Sequence, residues 1–309
     1  MKYLELQNGM KVSQLAFGCM RISDMSVTDF TELVKEALKE GVNFFDHADI
    51  YGGGKSEKLF GEVLKQNPEL RKEMIIQSKC GIRRGEHVGY FDFSKEHIIN
   101  SVNQSIERMN CEYLDVLVLH RPDTLADPKE IAEAFDELEA SGKVKAFGVS
   151  NMNPMQMELL QKACKQKLMF NQLQLSPVHS LMMTQGLFTN MKESQSIDHD
   201  GSILDYCRLH DVTIQPWSIM QASWEEGTFL NNLDYQKLND TLDMYAKKYD
   251  VSKSAVVIAW FLRHPANFQP IFGTTSVNHL REMCAGCNVE LSREEWYHIY
   301  IDAIGHALP

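Results

Sequence analysis

The chain has 309 residues, of which 44% are hydrophobic and 24% are charged. A chain of this length and composition can bury one large core, so we expect a single barrel-sized domain over residues 1–309. The formal net charge is −11 and the isoelectric point is near 5.5. Proteins that bind nucleic acid usually present a basic surface, so this balance argues against a nucleic-acid partner.

The N-terminal segment and the cysteines indicate the compartment. MKYLELQNGMKVS has no charged start followed by an apolar run, and no stretch approaches the ~20 apolar residues of a membrane span. Seven cysteines, an odd number, are scattered along the chain as expected for reduced thiols. We therefore expect a cytoplasmic protein without a membrane partner. Cys284 and Cys287 form a CxxC pair, but with no second pair and no histidine cluster nearby we expect no metal site.

The first predicted element is a β-hairpin, because YLELQNGMKVS reads as two short strands around an Asn8-Gly9 turn. Short apolar or β-branched runs then alternate with amphipathic segments. Eight such runs are predicted to be strands: LAFGCM from Leu15, VNFFDHAD from Val42, MIIQSKCG from Met74, LDVLVLHR from Leu114, VKAFGVS from Val144, MFNQLQLS from Met169, VTIQPWS from Val212 and FQPIFGTT from Phe268. Strand followed by helix, repeated eight times, predicts a parallel (β/α)8 TIM barrel with the hairpin as a plug at its opposite end.

The intervening segments have helical periodicity and recognisable ends. One helix is predicted from Thr28, and two others are predicted to be capped by Ser94 and by Asp127. Gly142 is the predicted stop of the helix that follows Asp127. The last segment, from Ser292, is predicted to form a C-terminal helix.

Polar side chains follow the predicted strands at their carboxyl ends, where the eight loops of a barrel meet at one mouth. Among them, Asp46 follows NFF, Lys79 follows IIQS and His120 follows LVL. Tyr51 lies five positions after Asp46 and is the candidate proton donor. A phenol with an ordinary pKa near ~10 becomes useful at neutral pH only beside a cation and a tuned neighbour. Lys79 is the candidate cation, and Asp46 its anchor.

Two nucleotide-binding signatures are incomplete. GGGKS at residues 52–56 imitates the end of a P-loop, but the position five before Gly54 is Asp49 rather than glycine. The same run fails the GxGxxG pattern because Glu57 stands where the last glycine belongs. We therefore interpret Gly52 to Gly54 as a flexible loop after Tyr51.

Six motifs in order resemble the aldo-keto reductase superfamily, over nearly the whole chain: FDHADIYG from Phe45, SKCG from Ser78, LHRPD from Leu119, GVSN from Gly148, the Asn171-Gln172 pair and PIFGTT from Pro270. HADIYGG, SKCGI and HRPD further resemble the bacterial YdhF-like oxidoreductase branch. The resemblance implies one (β/α)8 barrel that reduces small aldehydes or ketones reversibly. It also implies a nicotinamide cofactor held without a Rossmann domain.

The resemblance also implies a role for individual residues. Tyr51 would protonate the carbonyl oxygen as hydride arrives from nicotinamide C4, with Lys79 lowering the pKa of the phenol and Asp46 keeping Lys79 charged. His120 would hydrogen-bond the same oxygen. The cofactor itself supplies the redox chemistry. The positions that match cofactor-binding residues are Ser150, Asn151 and Gln172 for the carboxamide, Trp217 for stacking on the ring, and Ser218, Ile219, Gly273, Thr274, Thr275, Ser276, His279 and Arg281 for the phosphates.

The phosphate-binding region departs from the family pattern. A glycine-rich turn usually follows the Trp217-Ser218 position, but here Ile219 begins a run without glycine. The usual cations near the 2′-phosphate are replaced by hydroxyl residues, although a helix starting near Asn278 can still offer its N-terminus to a phosphate. Arg281 is offset along that helix from the position it would have to replace. The resemblance implies NADP(H) as the cofactor, and these departures leave NAD(H) as the alternative.

The substrate and the oligomeric state are not specified by the sequence. Four loops, at residues 20–25, 81–93, 122–127 and 224–229, are predicted to line an apolar mouth for small carbonyl compounds, and Arg83, Arg84 and Arg121 could favour an acidic one. Two other functions remain open. The altered phosphate region would suit a nucleotide-sensing, non-catalytic barrel subunit. A Schiff-base lyase would use Lys79 as a nucleophile, which requires this lysine to be largely neutral.

Overall fold

The structure is a computed structural model that describes residues 1–309. Its strands are β1 (Tyr3–Glu5), β2 (Lys11–Ser13), β3 (Ala16–Gly18), β4 (Phe44–Asp46), β5 (Ile75–Cys80), β6 (Ile82–Arg84), β7 (Gly89–Phe91), β8 (Leu114–Leu119), β9 (Val144–Ser150), β10 (Leu168–Gln174), β11 (Thr213–Trp217), β12 (Gln221–Ser223), β13 (Gly227–Thr228) and β14 (Ile271–Phe272). Its helices are α1 (Val27–Lys39), α2 (Lys55–Gln66), α3 (Lys95–Arg108), α4 (Pro128–Ala140), α5 (Pro154–Ala163), α6 (Leu181–Leu187), α7 (Ile203–Leu209), α8 (Gln236–Tyr249), α9 (Lys253–Arg263), α10 (Val277–Ala285) and α11 (Arg293–Ile304).

Eight parallel strands form one sheet in the order β11-β10-β9-β8-β5-β4-β3-β14. The two outer strands approach each other, and the backbone N–H of Gln269, just before β14, donates to the carbonyl of Ile214 in β11 at 3.1 Å. The sheet is thus nearly closed into a barrel, with helices around it. All eight predicted strands are confirmed. Because the strands are parallel, their carboxyl ends open at the same mouth.

The N-terminal hairpin fills the other end of the barrel, as predicted. β1 pairs antiparallel with β2, and Gly9 in the turn adopts a left-handed φ of 79°. Leu6 and Val12 pack into the same buried cluster as Phe44 and Val116, which face the barrel interior near the start of their strands. The hairpin therefore closes the apolar base of the barrel.

The predicted helix ends are also confirmed. Ser94 and Asp127 accept hydrogen bonds from backbone N–H groups of α3 and α4, and Ser292 forms a capping box with Glu295 at the start of α11. Gly142 follows α4 with a left-handed φ of 72°. No helix combines the length and the apolar character needed to cross a bilayer.

The interpretation of Gly52 to Gly54 as a flexible loop was wrong. The segment Tyr51–Gly54 is a tight 3-10 turn, and all three glycines have left-handed φ values, of 58°, 67° and 87°. Only glycine adopts such a run without strain. The turn leads directly into α2 at Lys55, so it fixes the position of Tyr51 relative to that helix.

A buried ion pair holds α2 against the barrel. The Glu57 side chain is fully buried and accepts hydrogen bonds from Ser78 Oγ at 2.6 Å and from Arg108 Nε at 2.7 Å. Ser78 precedes Lys79 in β5, and Arg108 ends α3. Glu57 therefore joins the helix that follows Tyr51 to the strand that carries Lys79.

We expect the Arg108→Met substitution to lower the free energy of unfolding by about 3–5 kcal/mol, because it leaves the Glu57 carboxylate buried without its counterion. Urea denaturation measures this loss. Lys58→Met, on the exposed part of the same helix α2, is the matched control and should change stability by no more than about 0.5 kcal/mol. An Arg108→Met protein as stable as the control would contradict the assignment.

Candidate active site

A cavity of about 350 Å³ lies at the carboxyl ends of the strands. Every strand of the barrel except β5 contributes to its wall directly or through the loop that follows, and β5 contributes Lys79 just beneath the surface. The lining includes Asp46, Tyr51, His120, Ser150, Asn151, Gln172, Trp217, Ser218, Ile219 and Gly273. The fold therefore brings most of the predicted site residues, which are far apart in sequence, to one place.

Lys79 makes short contacts with three residues at the base of the cavity. Its Nζ lies 2.8 and 2.9 Å from the two carboxylate oxygens of Asp46, and it donates to the hydroxyl of Tyr51 at 2.9 Å. It also donates to the backbone carbonyl of His47 at 2.7 Å. The lysine side chain is only 1% exposed. Lys79 thus links the carboxylate and the phenol within one buried hydrogen-bonded group.

Burial and charge oppose each other in this group. Burial lowers the pKa of Lys79, but the Asp46 carboxylate and the Tyr51 phenol outweigh it, so the pKa is raised overall and the ammonium stays charged. Burial raises the pKa of Tyr51, and the charge of Lys79 pulls it down without cancelling that effect. The phenol is therefore protonated at neutral pH.

His120 faces Tyr51 across the cavity. The two rings are 5.9 Å apart between centroids and nearly perpendicular, at 81°. Burial, followed by the charges of Lys79 and Arg121, lowers the pKa of His120 well below its ordinary value. A neutral imidazole can donate one N–H, and its Nδ1 is buried without a hydrogen-bond partner. His120 is thus a neutral side chain beside a protonated phenol.

A chain of buried glutamines supports Asp46 from below. Gln77 and Gln172 each donate to Asp46 Oδ1, at 2.6 and 2.8 Å, and both also donate to Gln215 Oε1. Gln215 donates to Gln269 at 2.8 Å, and Gln269 donates to the backbone carbonyl of Ser13 at 2.7 Å. The hydrogen bonds therefore run from the site through the barrel to the N-terminal hairpin. The side-chain amide of Gln172, predicted to meet the cofactor, is engaged with Asp46.

Ser150 and Asn151 lie where β9 ends. Asn151 has a left-handed φ of 57° and donates from its side-chain amide to Ser150 Oγ at 2.7 Å. Ser150 donates in turn to the backbone carbonyl of Gln172 at 3.2 Å. Both residues line the cavity, so a hydroxyl and a primary amide stand together at this wall.

Trp217 ends β11 and forms another wall. Its indole N–H is buried without a hydrogen-bond partner, and its ring lies 6.4 Å from that of Trp224. Ser218 has a left-handed φ of 57° and donates to the Gln221 side chain at 2.9 Å. Gln221 begins a short hairpin, formed by β12 and β13. This hairpin stands where the pattern of the aldo-keto reductase superfamily has a glycine-rich turn.

The predicted phosphate-binding residues lie at the start of α10. Ser276 caps this helix, accepting from the backbone N–H of His279, and Thr274 Oγ1 accepts from the backbone N–H of Ser276 at 3.0 Å. Gly273 lines the cavity, whereas Thr275 is exposed outside it. Arg281 points to α1 instead and donates to Glu36 at 2.7 Å. The structure thus brings hydroxyls and a helix N-terminus to this place, but it pairs the predicted arginine elsewhere.

The predicted substrate loops are only partly correct. Met20 and Trp224 line the cavity, but Tyr90 lies in the exposed hairpin formed by β6 and β7, and Phe229 is buried in the core. The apolar residues of that hairpin were counted as pocket residues because exposed and pocket-lining aromatics have the same sequence signal. The β6–β7 hairpin therefore contributes no aromatic side chain to the mouth, whereas Trp224 does.

Sequence reasoning missed several residues of the site. Gln77 and Gln215 were not singled out, although each lies two positions before a noted residue on the same strand, and side chains alternate between the faces of a strand. Arg21 lines the cavity rim without a sequence signal that distinguishes it from other arginines. Asp49, near Tyr51, has a buried oxygen without a partner, and burial raises its pKa to about 7.

The chain matches known proteins over most of its length. The model of the aldo/keto reductase family matches residues 14–303. The chain is 35% identical to oxidoreductase YdhF of Escherichia coli, over 97% of both chains, and 34% identical to 6-dehydroglucose reductase of Agrobacterium fabrum, over 99% of both. A solved structure of the thermostable aldo-keto reductase Tm1743 with the inhibitor epalrestat has a TM-score of 0.78 at 24% identity, covering 98% of this chain and 100% of that one. The chain belongs to the aldo/keto reductase family of oxidoreductases.

Proposed function

We propose that this protein reduces small aldehydes or ketones to alcohols with a nicotinamide cofactor, and that Tyr51 supplies the proton. The observation that supports this most directly is the 2.9 Å hydrogen bond from Lys79 Nζ to the Tyr51 hydroxyl in the wall of a cavity. The family match over residues 14–303 supports a single catalytic domain.

The residues around the cavity fit the nicotinamide part of such a cofactor. Ser150 and Asn151 offer the hydroxyl and amide that a carboxamide can bond, and Trp217 offers an aromatic face. Gly273 and the capped start of α10 offer backbone N–H groups toward the phosphates. When bound, the nicotinamide would supply the hydride.

The protein's own contribution is to hold and move one proton. Tyr51 donates its proton to the oxygen of the carbonyl as negative charge develops there. The Lys79 ammonium, kept charged by Asp46, stabilises the phenolate that remains. His120, as a neutral donor on the opposite side, hydrogen-bonds the same oxygen. These groups are already in position, so little reorganisation is needed.

The charge on Lys79 argues against the Schiff-base lyase. A nucleophilic amine must be neutral, whereas the Asp46 carboxylate at 2.8 Å raises the pKa of Lys79. The sensing alternative has weaker support than catalysis, because a subunit that only binds nucleotide has no need of a buried Lys79–Tyr51 bond.

We expect Tyr51→Phe to lower kcat for carbonyl reduction by about 10²- to 10⁴-fold, because it removes the proton donor and leaves the ring in place. The affinity for the cofactor should change by less than about threefold. Both are measured on a panel of aldehydes and ketones that includes 6-dehydroglucose, named in the Agrobacterium relative. Tyr90→Phe, in the exposed β6–β7 hairpin, is the control. Unchanged kcat in Tyr51→Phe would rule out this donor.

We expect kcat/KM for reduction to stay level between about pH 6 and 9 and to fall at higher pH. The protonated phenol is present below the pKa of Tyr51, which burial raises, and His120 is neutral throughout because its pKa is lowered. Asp49, with a pKa raised to about 7, is the nearby group whose titration could add an inflection to the pH profile of kcat/KM. A step in this range that persists in Asp49→Asn would contradict the assignment of Tyr51 and His120.

For the cofactor we propose NADPH, with NADH bound within about tenfold in Kd, since the arginine predicted to meet the phosphates does not face the hydroxyl-lined start of α10. Arg281 is instead paired with Glu36. Glu36→Gln should weaken that pair and tighten NADPH binding about two- to tenfold relative to NADH, as followed by tryptophan fluorescence. Glu62→Gln, on exposed α2 surface, is the control. A wild-type preference above a hundredfold for either cofactor would refute this account.

A further inference from the structure

One charged side chain of the cavity has no part in the proposed proton transfer. Arg121 follows His120 directly and lines the same cavity. It has no carboxylate within ion-pair distance and makes no hydrogen bond to another residue. Its guanidinium carbon lies 5.4 Å from the centroid of the Trp217 ring, which is a cation–π contact. Arg121 is therefore a half-buried cation without an anionic partner.

Other arginines in similar surroundings are paired. Arg71 donates to Asp115 at 2.8 Å, and Arg108 donates to Glu57 at 2.7 Å. Removing a guanidinium from water costs free energy unless an anion or an acceptor replaces the lost hydration. Burial also lowers the pKa of Arg121, which reflects the same cost. A cation left unpaired at this depth in a cavity is a site for an anion that the protein itself does not supply.

The charges around the cavity strengthen this conclusion. Asp46 is the only carboxylate that lines it, and that carboxylate is already bonded to Lys79. Arg21 adds a second cation at the rim, also without an ion-pair partner. The cavity therefore attracts anions although the whole chain carries a formal net charge of −11.

We propose that Arg121 binds a carboxylate of the substrate, so that the protein reduces oxo acids, meaning short aldehydes or ketones that carry a carboxylate. The planar guanidinium matches a carboxylate with two parallel hydrogen bonds. Trp217 holds the guanidinium from one side. Because Arg121 is adjacent to His120 in the chain, one small molecule can place its carbonyl against Tyr51 and His120 and its carboxylate against Arg121.

This proposal rests on the proposed reductase function and specifies its substrate class. In this reaction the carbonyl would take a proton from Tyr51 and a hydride that the bound nicotinamide would supply, and the carboxylate would be unchanged. Arg121 acts in binding and selection, and the proton transfer does not use it. The arginines of the β6–β7 hairpin, also considered from the sequence, do not contribute: Arg83 is paired with Asp92 at 2.7 Å, and Arg84 is exposed outside the cavity.

The first test compares kcat/KM for 4-oxobutanoate with that for the neutral 4-oxobutanamide, which has nearly the same shape. The wild-type protein should prefer the acid by about 10- to 100-fold, as one charge-assisted pair provides. In Arg121→Met this ratio should fall toward one. In Arg121→Lys it should take an intermediate value, because lysine keeps the positive charge but cannot make the two parallel hydrogen bonds of a guanidinium. Arg84→Met is the matched control and should keep the wild-type ratio. Equal wild-type values, or a ratio unaltered by Arg121→Met, would overturn the proposal.

The second test does not depend on turnover. Calorimetric titration with 4-hydroxybutanoate and 4-hydroxybutanamide measures binding of the acid and of its neutral counterpart. The acid should bind at least about tenfold more tightly to the wild-type protein, and Arg121→Met should remove this difference. If Arg121→Met instead weakens cofactor binding strongly and leaves the preference for the acid unchanged, Arg121 belongs to the cofactor site and the proposal is wrong.

The two tests separate this proposal from the reductase function. Reduction of neutral carbonyl compounds without any preference for the acid would support the reductase and refute the anion site. A lack of turnover with every carbonyl compound would refute the reductase, and the calorimetric comparison would still decide whether Arg121 binds a carboxylate.

Discussion

The ion pair between Lys79 and Asp46 is the interaction on which the rest of the site depends. Both side chains are almost fully buried, and each alone would be too costly to keep charged there. Together they fix a positive charge 2.9 Å from the Tyr51 hydroxyl. The pair is stable at this depth because Gln77, Gln172, the His47 carbonyl and the Tyr51 hydroxyl all hydrogen-bond to it. A buried pair of this kind adds little to stability by itself, but it determines the chemistry that the cavity can perform.

The glutamines inside the barrel donate the hydrogen bonds that the Asp46 carboxylate can accept beyond those from Lys79. Asp46 accepts from Gln77 and Gln172, and the same amides pass hydrogen bonds on through Gln215 and Gln269 to the N-terminal hairpin. The interior of the barrel is thus apolar at its base, where the hairpin packs, and polar towards its mouth. Since buried amides must be paired, this layer fixes both the orientation of Asp46 and the position of the segment before β14, where the barrel closes.

The sequence was sufficient to predict the barrel, because short apolar or β-branched runs and capped helices alternate along the whole chain. It was also sufficient to predict that Asp46, Tyr51, Lys79 and His120 meet, since parallel strands bring their carboxyl ends together. It could not predict the turn at residues 52–54, because a glycine run is compatible with a mobile loop and with a tight left-handed turn. The sequence also did not show that the Gln172 amide faces Asp46, since that contact is set by the register between strands distant in the chain.

Arginines show most clearly why pairing has to be seen in three dimensions. From the sequence, Arg281 was a candidate for a phosphate and Arg121 one of several loop arginines. In the structure Arg281 is bonded to Glu36, which lies 245 positions away, and Arg121 faces the cavity with no anion. An arginine that already has a carboxylate gains less from a ligand than one that has none, because it must first give up its partner. The positive charge available to a ligand is therefore close to Tyr51, the proposed proton donor, whereas the proposed cofactor end, at the start of α10, offers hydroxyls and backbone N–H groups. This distribution points to selectivity for the substrate's charge rather than for the cofactor's phosphate.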